Sequence, residues 1–90
     1  MVVVVSEDFL KRHNIKPLAR ITGGAVHGLH PNTMGMGPVG AINNLCKRFG
    51  YKVSDFDLIE LNEAFAIQAL ACMQELNLDP SKVNRNGGSI

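Results

Sequence analysis

The segment from Phe56 to Leu76 constrains the fold of this chain most tightly. A largely apolar stretch, Phe56 to Leu61, passes through the polar pair Asn62-Glu63 into a second apolar stretch, Ala64 to Leu76. In the second stretch Phe65, Ile67, Leu70, Ala71, Met73 and Leu76 leave almost no polar stripe; only Gln68, Gln74 and Glu75 interrupt it. This pattern predicts a helix, and a helix apolar nearly all round is covered on more than one side. The shorter stretch before it reads as a strand. Open α/β sheets place their chemistry at the carboxyl ends of strands, which is where Asn62 and Glu63 stand. Asn is also a favoured N-cap, its side-chain oxygen accepting a free helix N–H. Glu63 suits the first turn of a helix, where the dipole favours negative charge; a general base is its other reading.

The rest of the chain continues the alternation. Val2 to Val5 is a β-branched run that fits a strand buried on both faces. Ser6 caps a short helix with Glu7 and Asp8 in its first turn, fading at His13-Asn14 before Pro17. Leu18 to Leu29 reads as a long extended segment, and His30 to Gly37 as a loop. Gly37-Pro38 opens a helix whose apolar positions Val39, Ile42, Leu45, Cys46 and Phe49 follow the helical period; Gly50 ends it. Ser54-Asp55 makes a turn, Asp79-Pro80 opens one further turn, and Val83 to Asn86 begins a last strand. The order strand, helix, strand, helix, strand, helix, strand predicts an α/β layer with a mainly parallel sheet, incomplete at its C-terminal end. The last strand runs into Gly87-Gly88 with nothing after it to cover its far face. Residues 1–90 therefore read as part of a domain.

Composition excludes several classes of function. With 90 residues, a net charge of +1 and 19 % charged residues, the chain has no field that points to nucleic acid or an anionic membrane. Lys11, Arg12, Lys16 and Arg20 cluster, but Glu7 and Asp8 dilute them into a solvated face. Cys46 and Cys72 are the two cysteines, too few for a disulfide framework in so small a chain, which indicates a reducing compartment. Both are expected to pack within helices. The apolar start, Val2 to Val5, is far too short to span a membrane and lacks the basic flank of a secretory signal, so the cytoplasm is the expected location, with an organelle the alternative for a full-length parent.

His27 and His30, with Cys46 downstream, form no expected metal site, since a site needs three or four converging ligands. The glycines at 23, 24, 28, 35 and 37 are followed by no Lys-Ser/Thr and make no phosphate loop.

Three stretches in register carry a family resemblance: Pro31-Asn32-Thr33-Met34-Gly35-Met36-Gly37-Pro38, Asn62-Glu63-Ala64-Phe65-Ala66, and Val83-Asn84-Arg85-Asn86-Gly87-Gly88-Ser89-Ile90. Together with Asp57-Leu58-Ile59-Glu60-Leu61 they resemble the C-terminal half of the thiolase family, the acyl-CoA acetyltransferases. The resemblance covers essentially the whole chain. It implies a thiolase-like α/β/α fold, with residues 1–90 forming part of the C-terminal domain. The implied activity interconverts a 3-ketoacyl-CoA plus CoA with acyl-CoA plus acetyl-CoA, using coenzyme A thioesters as substrates and no cofactor. In the family a cysteine thiolate takes the acyl group, a second cysteine moves a proton and a histidine activates the nucleophile.

Carried over residue by residue, Asn62 is the family Asn that holds a water at an oxyanion site, and a neutral amide suits that task. Met34 and Phe65 resemble residues lining the acyl and pantetheine pocket. Cys46 and Cys72 occupy no family cysteine position, and the family's Gly-His-Pro motif follows two or three residues beyond Ile90. The ninety residues alone are therefore expected to be inactive, and a full-length protein to assemble as a dimer or tetramer. The competing reading is a non-catalytic α/β remnant or interaction module that keeps a thiolase-like surface.

Overall fold

A computed structural model describes residues 1–90. Three helices form: α1 over Glu7–His13, α2 over Gly37–Phe49 and α3 over Ala66–Glu75. Short 3-10 turns cover Pro31–Met36, Val53–Asp55 and Pro80–Lys82. The predicted punctuation of α1 and α2 is met. Ser6 Oγ accepts the Phe9 N–H at 3.2 Å, and Asn14 closes α1 in the left-handed conformation at φ 51°. Pro38 sits in the first turn of α2, and Gly50, at φ 72°, turns the chain out of it with its N–H on Cys46 O. The loop read at His30–Gly37 is instead mostly wound into a 3-10 turn, which His30 caps by accepting the Asn32 N–H on Nδ1 at 3.3 Å.

The expected sheet does not form within these ninety residues. Its one trace is an isolated parallel bridge between Ile59 and Val83. Ile59 donates to Lys82 O and Asn84 N–H donates to Ile59 O, both at 2.9 Å. Val2 to Val5, read as a buried strand, is extended and exposed, and Leu18 to Leu29 runs without a ladder. The reason is topological: a parallel strand needs a neighbour on its edge, and this chain sets none beside either segment. Only 38 backbone–backbone hydrogen bonds form, against about 60 for a typical globular chain of this length.

Side chains do part of the work a sheet would do. Along residues 18–29, Asn44 Nδ2 donates to Val26 O at 3.1 Å and Arg48 Nη1 to Gly24 O at 3.3 Å, laying the segment against α2. Two glycines permit the approach. A Cβ on Gly23 would overlap the Phe49 ring, and one on Gly40 the His27 ring.

The small core is Leu61, Ala69 and Cys72, with Met36, Val39, Met73 and Val83 packed around it. Cys72 is fully buried and Cys46 buried, and both thiols are free, as the reading of packing cysteines expects. Cys72 Sγ and Gln68 Nε2 both donate to Gly35 O, at 3.3 and 3.1 Å, fastening the 3-10 turn at Pro31–Met36 to α3.

The radius of gyration is 15.7 Å, against about 12 Å for a compact chain of this length. Six residues are buried, while Phe65, Ile67 and Leu70 remain 68 %, 79 % and 63 % exposed. The second covering surface that the sequence demands for this helix is not supplied by these ninety residues. Each such side chain forgoes about 1.5–3 kcal/mol of burial, and Val2–Val5 add further exposed apolar surface. The isolated chain is predicted to self-associate in sedimentation velocity at micromolar concentration. A monodisperse monomer with a cooperative calorimetric transition would contradict this.

Candidate functional site

The polar pair after Leu61 opens onto a shallow hollow bounded by Leu61, Asn62, Glu63, Asn84, Gly88 and Ser89. A second hollow, between Val53, Ile59, Leu76 and Lys82, contains none of Met34, Asn62 and Phe65.

Asn84 builds the first hollow. Its backbone is left-handed at φ 48°, which ends the extended run from Val83 and turns its side chain onto the neighbouring segment. Asn84 Oδ1 accepts the Leu61 N–H at 2.8 Å, and Nδ2 donates to Leu61 O at 2.9 Å. The primary amide thus pairs with Leu61 as the next peptide of a parallel strand would. Nδ2 also donates to Glu63 Oε1 at 3.0 Å. Beyond Asn84, Gly87 at φ 98° donates its N–H to Asn84 O at 2.8 Å, bending residues 87–90 back toward Glu63. Glu63 Oε2 accepts the Ile90 N–H at 2.9 Å, and Glu63 O accepts Ser89 Oγ–H at 3.4 Å. Gly88 lies so close that a Cβ there would overlap the Glu63 carboxylate.

Glu63 was read as a first-turn acid of a helix starting near Ala64. The helix starts later, at Ala66, with Phe65 as an extended N-cap residue and no side-chain cap. Residues 61 and 63 are tied to Asn84 and Ile90, and the chain bends at Ala64-Phe65 before it coils. The capping role of Asn62 falls for the same reason. Asn62 stands three residues before the cap, is exposed, and takes part in none of the side-chain hydrogen bonds that hold this region. Met34, in the turn at Pro31–Met36, and Phe65 are both largely exposed apolar side chains. The bonds from Gln68 and Cys72 to Gly35 O bring their two elements together. His27 and His30 serve packing and capping, and no group of three or more His, Cys, Asp or Glu side chains converges as a metal site would require.

Sequence reasoning missed Asn84 and the bridging role of Glu63. The signal for Asn84 is its position one residue after a β-branched Val and three before a Gly-Gly, where an amide can take up a left-handed turn.

The hydrogen bond from the Ile90 N–H, then that from the Asn84 amide, holds the Glu63 carboxyl below its ordinary value of 4.5, against a smaller opposing effect of desolvation. A depressed carboxyl stabilises the folded arrangement fully above that ordinary value, and the contribution is lost as pH falls through the lower, folded-state value. The tie between Glu63 and Ile90 is therefore predicted to hold unchanged from neutrality down to pH 4.5 and to release only below it. The Ile90 amide shift and its exchange protection, followed by NMR, check this. Release already near pH 6 would show that the carboxylate is not what holds Ile90.

With the parallel β-bridge between Ile59 and Val83, the turn at Pro31–Met36 and the Asn62 hollow in place, the comparisons with known proteins assign the class. The model of the thiolase C-terminal domain matches residues 15–90, and the chain belongs to that family. It is 55 % identical over 89 residues to the bovine mitochondrial 3-ketoacyl-CoA thiolase, covering 99 % of this chain and 22 % of the relative. It is 51 % identical over 90 residues to a probable acetyl-CoA acyltransferase of Staphylococcus aureus, covering 100 % of this chain and 23 % of that protein. The crystal structure of human mitochondrial 3-ketoacyl-CoA thiolase superposes with a TM-score of 0.88 at 54 % identity, over 93 % of this chain and 21 % of that one. The Bacillus anthracis acetyl-CoA acetyltransferase gives 0.89 at 47 % identity, over 92 % and 21 %. The α/β class is that of these structures, although the chain spans about a fifth of their length and carries only one bridge of a sheet.

Proposed function

We propose that these ninety residues supply the oxyanion-site segment of an acyl-CoA acyltransferase. The reaction interconverts 3-ketoacyl-CoA plus CoA with acyl-CoA plus acetyl-CoA. Acyl-CoA thioesters are the substrates and no further cofactor takes part. Residues 1–14 are read as part of the same domain as the matched segment, a reading supported by alignments with the relatives that run through 99–100 % of the chain. The observation that carries the reading is the state of Asn62: an exposed amide, unused by the fold, on a backbone that its neighbours Leu61 and Glu63 anchor.

The chemistry follows from what a thioester carbonyl requires. When a thiolate adds to the carbonyl carbon, the C=O electron pair moves to oxygen, and that oxygen needs fixed donors beside it. Collapse of the adduct restores the carbonyl and expels the CoA thiolate. A neutral amide orients a water toward the oxygen without adding charge to repel it. Met34 and Phe65, exposed and apolar, line the path of the acyl and pantetheine chain. The CoA complex of the human thiolase, 53 % identical with a TM-score of 0.88, supports CoA as the carrier. Two free cysteines fit a reducing compartment, and the polypeptide works as a homo-oligomer.

The thiolate must come from outside these residues, because Cys46 and Cys72 are buried and Cys72 Sγ is spent on Gly35 O. Incubated alone with acetoacetyl-CoA, the ninety residues are predicted to give no turnover and no acetyl adduct on either cysteine. Mass spectrometry of the intact chain reads this, and an adduct on Cys72 accompanied by turnover would sink it.

Asn62 is tested in a longer polypeptide that carries this segment together with a reactive cysteine. Asn62→Ala is predicted to lower kcat by about a hundred- to thousandfold, the loss seen when one oxyanion donor is removed. Because Asn62 caps no helix, the melting temperature should stay within about 2 °C, the scale of a surface substitution of at most 0.5 kcal/mol. Asn62→Asp, which sets a negative charge beside the developing oxyanion, should be at least as slow. Parental turnover in Asn62→Asp would remove the assignment.

A further inference from the structure

We propose that Glu63 is the positioning residue of this site: its carboxylate bridges the Asn84 amide and the Ile90 backbone and so fixes residues 87–90 at a set distance from Asn62. The proposal rests on the acyl-transfer reading above and deepens it. Three observations meet at Glu63. Oε1 accepts from Asn84 Nδ2 at 3.0 Å, and Oε2 accepts from the Ile90 N–H at 2.9 Å. The carboxylate fills the space at Gly88 that a side chain would otherwise take. The residue that makes these contacts is the direct neighbour of Asn62. Any shift of the Glu63 backbone therefore moves Asn62, and loss of the bridge leaves the loop on the facing side of the hollow held only by the Gly87 N–H on Asn84 O and Ser89 Oγ on Glu63 O.

The requirement is for a carboxylate rather than for any polar group of that size. Both partners are donors, one on each oxygen, and only an ionised carboxylate accepts on both sides. A glutamine offers one acceptor and one N–H₂, so one of the two contacts becomes donor against donor. Charge-assisted bonds are also the stronger kind. Asn84 cannot turn away to relieve the clash, since its other contacts are committed to both polar groups of Leu61.

The test uses the longer polypeptide with its reactive cysteine. Glu63→Gln is expected to lower kcat by about tenfold to a hundredfold, the range an ångström of misplacement costs. KM should change by no more than about twofold, since substrate binding is left intact. Glu63→Gln combined with Asn84→Asp exchanges donor for acceptor: the new carboxylate at 84 accepts from the new amide at 63. The pair should turn over faster than the product of the two single effects allows. Gly88→Ala provides an independent arm, because Gly88 lies outside the left-handed region and the atoms nearest the added methyl are those of the Glu63 carboxylate. It should lower kcat in the same way, and Glu63→Gln with Gly88→Ala should be no slower than the slower single variant.

A merely structural Glu63 would lower yield and melting temperature while leaving kcat per folded molecule, checked by circular dichroism, at the parental value. That outcome, in a parent that does turn over, overturns the positioning role and leaves the acyl-transfer reading standing. A parent inactive on every acyl-CoA offered removes the acyl-transfer reading and this proposal with it. If Glu63→Gln does not fold, parental kcat in Gly88→Ala is sufficient to overturn the proposal.

Discussion

The arrangement depends on one side-chain amide doing the work of a strand. Asn84 pairs with both polar groups of Leu61 and continues, through its side chain, the single parallel bridge that Ile59 and Val83 begin. A backbone amide left without a partner in a part-buried position costs about 1–3 kcal/mol, so Leu61 cannot leave this pairing freely. Leu61 is also a member of the small core, beside Ala69 and Cys72 of α3. The same amide therefore holds a core residue in register and reaches Glu63 at the mouth of the hollow. Fold and site share one anchor.

That sharing explains which features were legible in the sequence. The ends of α1 and α2 are local events: Ser6, Asn14, Pro38 and Gly50 act on groups within a few residues, and their chemistry does not depend on distant chain. The start of α3 is not local. Asn62 has the residue type of a cap, but Asn84 and Ile90, more than twenty residues on, hold the backbone extended past it. A propensity read within a window cannot see that competition. The strands suffered the same way, since Val2–Val5 and the Leu18–Leu29 segment have β-type composition but no edge to join. Residue type stated what they prefer; pairing decides what forms.

The candidate site shows the converse. The family motif singled out Asn62, Met34 and Phe65, and all three stand exposed where a ligand can reach them. Motif spacing singles out residue types by their order along the chain. It is silent on which neighbour holds them still. Glu63 looked like a charge at a helix terminus, a role any acid can fill. Its two donors come from Asn84 and Ile90, and only the folded chain brings them to one carboxylate.

The contrast between the two residues of the Asn-Glu pair then follows from their surroundings. Glu63 accepts a hydrogen bond on each carboxylate oxygen, and its main-chain carbonyl accepts a third from Ser89, so both oxygens are already committed to holding the chain. A carboxylate held ionised by two donors is also a weaker base than a free one, because taking up a proton must break at least one of those bonds. Asn62 has the opposite character, with its amide unspent and its backbone clamped on either side. A fold that intended Glu63 for proton transfer would leave one oxygen open or raise the carboxyl by burial, as active sites do when a base must work near neutrality. Here the acid is consumed in rigidity and the amide is kept available. That division ties Glu63 to the loop at residues 87–90 and leaves the Asn62 amide unspent, the contrast on which the proposed acyl-transfer reading rests.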